Sequence, residues 1–185
     1  MFNKVQNKSI FIVYYLIAKL LSKIYGAEGL NLIFYFCPSN VIVKLLNLYG
    51  GSVDPTVRIK SPLTIHNASS VKRQFYENLT VGANVFIGRN NFFDLESKII
   101  IGNNACLSHG IKIMTHTDGA NSWASTNDVL KKSTNTVEIK EGVYVGAYVL
   151  ILEGVTVNSG AIIGAGSLLN KSIPSRTLAY GRPVE

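Results

Sequence analysis

The sequence predicts an all-β domain, a parallel β-helix of hexapeptide repeats, preceded by a short α-helical segment. Three observations predict it. Aliphatic residues recur at every sixth position over long stretches, glycine is frequent between them, and residues 1–50 lack the repeat. A helix returns its apolar face every 3.6 residues and a lone strand every second one, so a sustained period of six needs short strands joined by tight corners. Stacked coils of such strands bury an apolar column that no single coil could hold, and glycine eases the corners.

The helical segment comes first. Residues 1–50 contain three apolar runs, the first and third with an isolated lysine: IFIVYYLIAKLL (Ile10 to Leu21), LIFYF (Leu32 to Phe36) and VIVKLLNLYG (Val41 to Gly50). Lys4 and Lys8 precede the first run in the manner of a signal peptide, but no small-x-small cleavage site follows closely. The first run falls well short of the ~20 residues that a membrane-spanning helix needs, and Lys19 interrupts it. Two readings fit: a pair of amphipathic helices that pack on the rest of the chain, or helices that also rest on the inner membrane surface with lysines towards anionic lipid. The expected location is cytoplasmic, with peripheral contact at the inner face of the membrane.

Residues 51–185 form the predicted β-helix. From Ile139 the chain divides into IKEGVY, VGAYVL, ILEGVT, VNSGAI, IGAGSL and LNKSIP, and every first position is aliphatic. The fifth positions, Val143, Val149, Val155, Ala161, Ser167 and Ile173, are compact or aliphatic. The same beat appears in VDPTVR, IKSPLT and IHNASS from Val53, in VGANVF, IGRNNF and FDLESK from Val81, and in IGNNAC and LSHGIK from Ile101. First and fifth side chains should point inward.

Composition narrows the rest. With 47% hydrophobic and 16% charged residues the 185-residue chain is a folding sequence, not a disordered one. Eighteen Lys and Arg against eleven Asp and Glu give a net charge of +7, which favours anionic partners without choosing among them. No motif with interleaved aromatics points to nucleic acid. Cys37 and Cys106 lie far apart without CxxC spacing, so neither a disulfide framework nor a zinc site is expected, and the compartment should be reducing.

The segments VGANVFIG, IIIGNNACLSHG, VYVGAYVLILEGVTV and IIGAGSLLNKSIPSRTLAYGRP resemble the hexapeptide-repeat acyltransferase family, above all its sugar and polysaccharide O-acetyltransferases of the galactoside and maltose acetyltransferase group. The resemblance runs from about Val53 to the end of the sequence. It implies a left-handed β-helix of triangular section with three hexads per coil. It also implies a homotrimer with active sites between subunits, acetyl-CoA as co-substrate, and a sugar or glycan acceptor.

The repeat fails in two places, and interruptions of a regular scaffold are where chemistry is expected. One is VKRQFYEN, Val71 to Asn78; the other is the long loop at 115–136. In the family that the chain resembles, such a loop carries the catalytic histidine, and the matching residue is His116 in IMTHT. Imidazole titrates near neutrality, so a positioned histidine suits removal of a hydroxyl proton during attack on a thioester. No GxSxG elbow or Cys-His pair suggests a covalent intermediate.

His109, third in its hexad, and His66 should point outward. The γ-class carbonic anhydrases resemble this fold and bind zinc through three histidines, but they pair two of them five apart, whereas His109 and His116 are seven apart. No metal is expected.

For the acceptor, the resemblance places Glu96 where galactoside acetyltransferases have an acidic residue and Gly88 where an asparagine is common. Asn90, Asn91 and Asp94 are candidate substitutes for that asparagine, and Trp123 could stack on a pyranose face or anchor the loop. For coenzyme A it implies Ala147, Ala165, Asn170 and Lys171, the small residues lying against the pantetheine arm and the lysine meeting phosphate. Asn170 stands where threonine is usual, Tyr144 where tryptophan is frequent, and relatives continue past the closing AYGRPVE with a basic residue and a tail.

The leading expectation is O-acetyl transfer to a sugar of a surface polysaccharide or glycolipid. N-acetyl transfer to an amino sugar or nucleotide sugar, and a non-catalytic β-helix scaffold, are the alternatives.

Overall fold

A computed structural model describes residues 2–69, 74–119, 122–126 and 129–184. Three helices open the chain, α1 (Phe2–Tyr25), α2 (Glu28–Phe34) and α3 (Ser39–Leu48), one more than the sequence reading expects. The extra break falls at Gly26, whose φ of +61° is left-handed and suits glycine. Gly29 then brings α2 against α1, because a Cβ there would sit 2.5 Å from the Leu21 carbonyl oxygen.

Beyond α3 the strands form three parallel sheets that wind around a common core. Five strands, β1 (Ser52–Val53), β4 (Leu79–Val81), β7 (Ile99–Ile101), β12 (Val137–Ile139) and β15 (Thr156–Val157), make the first face. The second holds β2 (Arg58–Ile59), β5 (Phe86–Ile87), β8 (Cys106–Leu107), β13 (Tyr144–Val145), β16 (Ile162–Ile163) and β18 (Leu178–Ala179). The third holds β3 (Leu63–His66), β6 (Asn91–Asp94), β9 (Lys112–Ile113), β14 (Leu150–Ile151) and β17 (Leu168–Leu169).

Register confirms the period. Val145 faces Ile163 and Ile151 faces Leu169, so each strand stacks on the one that lies three hexads away in the chain. Leu107 faces Val145 from across the long loop, so that insertion bulges outward and leaves the stack undisturbed. The inward positions are those counted from sequence: Ile139, Val143, Val145, Val149 and Ile151 are all buried.

A β-helix leaves the backbone of its first coil unpaired, and here each face is closed by one polar side chain from the helices. Asn47 of α3 donates to the Val53 carbonyl at 2.7 Å and accepts from its N–H at 2.8 Å. Ser39 accepts from the Ile59 N–H at 2.8 Å, and Asn31 of α2 pairs with both backbone groups of Ile65. The helical segment is therefore the cap of the solenoid as well as a packing layer.

The first interruption serves that cap. Val71–Arg73 lie outside the described residues, but Phe75 stacks on Tyr49 with ring centroids 5.5 Å apart. Tyr76 is fully buried beside Phe34, and its N–H bonds the Tyr49 carbonyl.

Candidate active site

His116 is the first residue of a two-residue strand, β10 (His116–Thr117), which pairs antiparallel with β11 (Ser133–Thr134). The long loop thus leaves the coil as a hairpin. It carries a short helix, α4 (Trp123–Thr126), and residues 120, 121, 127 and 128 lie outside the described residues. The hairpin stands at the edge where the third face turns into the first.

Where the regular strand stops, Asp94 takes the next backbone N–H. That carboxylate ends β6 one coil earlier and has no exposed surface. Thr115 donates to Oδ2 from its N–H at 2.8 Å and from its hydroxyl at 3.0 Å. Asn67, one further coil back and held at a left-handed φ of +50°, donates to Oδ1 at 2.8 Å. His116 Nδ1 lies 2.6 Å from Oδ2. Burial pushes the Asp94 pKa up, but these hydrogen bonds, that from His116 foremost, outweigh it and hold the group below the ordinary carboxylate value.

The consequence for His116 follows from hydrogen-bond chemistry. An ionised carboxylate only accepts, so Nδ1 carries the proton in this pair and Nε2 of the neutral ring keeps its lone pair. The imidazole remains partly open, with 18% of its side chain exposed. Asn67 Nδ2 lies 3.5 Å from both ring nitrogens.

Glu153, at the same edge in the next coil, anchors the hairpin. It accepts from the Ser133 hydroxyl at 2.5 Å and from the Asn135 amide at 3.3 Å. Partial burial raises its pKa, while bonds from Ser133, Thr117 and Asn135 and the field of His116 bring it below the usual range. A polar cleft of about 400 Å³ opens between Asn67, Glu77, Asn78 and Glu96.

The structure places the remaining sequence candidates as follows. Asp94, expected at the acceptor, instead has its oxygens occupied by His116, Thr115 and Asn67, because it lies beneath the imidazole. Glu96 is exposed, 3.9 Å from Lys132, which also meets Asp118, two residues beyond His116, at 3.3 Å. Asn91, the fifth residue of its hexad, points inward and is spent on the carbonyls of Gly88 and Ser108 and the N–H of Ile111. Gly88 could carry no asparagine without rearrangement, since a Cβ would lie 2.6 Å from the Ser108 carbonyl oxygen.

Asn90 is exposed, with a φ of +57°, at the edge between the second and third faces, away from His116. Ala147 and Ala165 occupy that same edge in successive coils, linked by a 2.7 Å bond from the Gly166 N–H to the Ala147 carbonyl. Asn170 and Lys171 are exposed after β17, on the His116 edge. Trp123 opens α4 and is 73% exposed.

His66 packs on Phe92 with ring centroids 5.9 Å apart, and His109 accepts the Arg89 N–H at 2.9 Å on the opposite edge. The three histidines are thus separated, and among the described residues no group of three His, Cys, Asp or Glu side chains could hold a metal ion. Asn67, Thr115 and Glu153 were not legible as site residues. Coil counting could have placed them on one edge, but not shown which of them bond.

Residues 136–171 match the bacterial transferase hexapeptide family, described by six repeats. A galactoside O-acetyltransferase of Lactococcus lactis is 32% identical over 122 residues, which are 61% of this chain and 56% of that protein. The chain spans about half the length of the curated relatives it matches. Among solved structures, a maltose O-acetyltransferase from Clostridium difficile superposes with a TM-score of 0.71 at 25% identity, covering 92% of this chain and 86% of that one. A hexapeptide-repeat acetyltransferase from Vibrio cholerae in complex with acetyl coenzyme A superposes equally, with a TM-score of 0.71 at 19% identity over 86% and 82% of the two chains. The repeat is that of the hexapeptide transferases, and the chain resembles their acetyltransferase branch as the sequence segments implied.

Proposed function

We propose that this chain is an acetyl-CoA-dependent O-acetyltransferase acting on a sugar hydroxyl, with His116 as general base. The observation that carries the reading is the His116–Asp94 pair: a buried carboxylate fixes one ring nitrogen and leaves the other available at the mouth of a loop. The kinship with galactoside and maltose O-acetyltransferases supports acetyl transfer and a sugar acceptor.

In this mechanism Nε2 of His116 takes the proton of the acceptor hydroxyl as its oxygen attacks the thioester carbonyl. The C–O bond forms and a tetrahedral oxyanion results, for which backbone N–H groups at a coil corner are the fitting donors. Collapse breaks the C–S bond and expels the coenzyme thiolate, which recovers the proton from the imidazolium. The products are the acetyl ester and free coenzyme A. Asp94 contributes by holding the tautomer and by favouring the imidazolium that forms.

The site so read is completed between subunits. In one chain the base stands on one edge of the prism and the small residues Ala147 and Ala165 on the next, so a pantetheine arm lying along the alanines would reach the His116 edge of an adjacent copy. A left-handed coil in a homotrimer supplies that juxtaposition. Lys171 would meet coenzyme phosphate, and Glu96 with the cleft beside Asn67 would face the acceptor. A polysaccharide or glycolipid sugar fits this role.

The reading is tested by release of coenzyme thiol from acetyl-CoA against a panel of sugars, amino sugars and nucleotide sugars, with the product identified by mass spectrometry. Ester formation on a neutral sugar is expected. Amide formation on amino sugars alone would replace it with N-acetyl transfer, and no binding of coenzyme A at millimolar concentration would leave a scaffold.

A further inference from the structure

The helical cap buries only one side of α1. Phe11, Tyr14, Ala18, Leu21 and Ser22 face the core, at the spacing of an inner helix face. On the outer side Ile10, Val13, Ile17, Leu20 and Ile24 follow in steps of three and four, each between 43% and 59% exposed. Ile12 and Leu16 widen this stripe, Tyr25 ends it on α1, and Leu32 of α2 with Tyr35 and Phe36 just after that helix continues it, Phe36 being 79% exposed. A contiguous apolar face of this size is not ordinary surface.

The charges beside it identify the occupant. α1 contains four lysines, Lys4, Lys8, Lys19 and Lys23, and no acidic residue. Lys19 and Lys23 are exposed, one turn apart, on the side of the stripe that carries Ile12 and Leu16. A second copy of α1 could match the three-four spacing as a coiled-coil seam, but it would bring lysines without carboxylates to pair them, and a two-stranded seam is narrower than this face. An anionic lipid surface satisfies both halves of the pattern, taking the apolar stripe among its acyl chains and the lysines at its headgroups.

We propose that the outer face of α1, extended by the end of α2, docks on an anionic bilayer with the helix axis in the membrane plane. At 1.5 Å per residue α1 is about 36 Å long, and among the described residues no helix is long and apolar enough to cross a membrane. The chain lies on the surface. This placement rests on the helical cap alone and stands whether or not the catalytic reading holds.

The test is co-sedimentation of the full chain with vesicles of phosphatidylglycerol and phosphatidylcholine, compared with phosphatidylcholine alone. Binding at least tenfold tighter to the anionic vesicles is expected. Lys19→Gln/Lys23→Gln should lose roughly 25-fold of that affinity, since each lysine near an anionic surface contributes about fivefold. Leu16→Glu/Leu20→Glu should abolish it, with helical circular dichroism unchanged. Equal or absent binding to both vesicle types overturns the proposal. So does unchanged vesicle binding by Leu16→Glu/Leu20→Glu, and a smaller mass of that variant by light scattering would then give the face to a second copy.

Discussion

Oδ2 of Asp94 lies 2.6 Å from Nδ1 of His116, and Asp94 itself has no exposed surface. The pair joins two consecutive coils at one edge of the β-helix, so the orientation of the imidazole is set by the scaffold and not by the loop that carries it.

Asp94→Asn should therefore separate positioning from folding. An amide with its NH2 in place of Oδ2 presents a donor to Nδ1, which favours the wrong tautomer, while its oxygen still accepts from Asn67. We expect kcat for acetyl transfer to fall on the order of 10²–10⁴-fold with KM for acetyl-CoA within about threefold. A steady-state comparison with Asp94→Glu checks this, and unchanged kcat in Asp94→Asn would show that the carboxylate does not act through His116.

The same carboxylate makes stability depend on acid. Asp94 and Glu153 both have folded-state pKa values below the ordinary one, Asp94 through bonds that overcome its burial, Glu153 likewise with a more exposed side chain. Their stabilisation is complete above the unfolded carboxylate pKa, about 4, and is lost as pH falls below it towards the folded-state values. Thermal melts should show Tm declining below about pH 4, and Asp94→Asn should flatten that decline more than Glu153→Gln, whose contribution solvent screens.

The three polar caps of the first coil predict a different kind of loss. Asn31→Ala and Asn47→Ala each orphan an N–H and a carbonyl at the end of the solenoid, and each should cost about 1–3 kcal/mol in urea unfolding. A wild-type midpoint in both would mean that water satisfies the edge equally well.

How far the sequence revealed these features differs between scaffold and site. The inward column was legible because period six is a local rule: Ile139, Val145 and Ile151 could be counted without knowing their neighbours. Asn91 obeyed the same rule as a fifth position, and its burial follows from it. His116 stood out because the beat stops there.

Asp94 was legible as a polar residue near the site but not as the partner of His116. Phe93 faces Ile113, and the coil between them is longer than three hexads, so counting hexads fails at the corner where Asp94 sits. The capping role of Asn31, Ser39 and Asn47 was invisible for a related reason, since helix docking on the first coil is set by tertiary packing and leaves no period. The third helix was hidden by apolar runs that Gly26 divides.

Lys171 offers a test of the coenzyme side. Lys171→Ala should raise KM for acetyl-CoA about tenfold, the worth of one charge-assisted contact, with kcat within about twofold. A fall in kcat with KM unchanged would place the lysine at the reacting atoms and not at phosphate.

The most direct measurement compares wild type and His116→Ala in single-turnover transfer from acetyl-CoA to the best acceptor sugar. The rate should drop at least 10²-fold, on the scale of a lost general base, while coenzyme A binding by calorimetry stays within about threefold. Transfer by His116→Ala at the wild-type rate would contradict the assignment of His116 as the base.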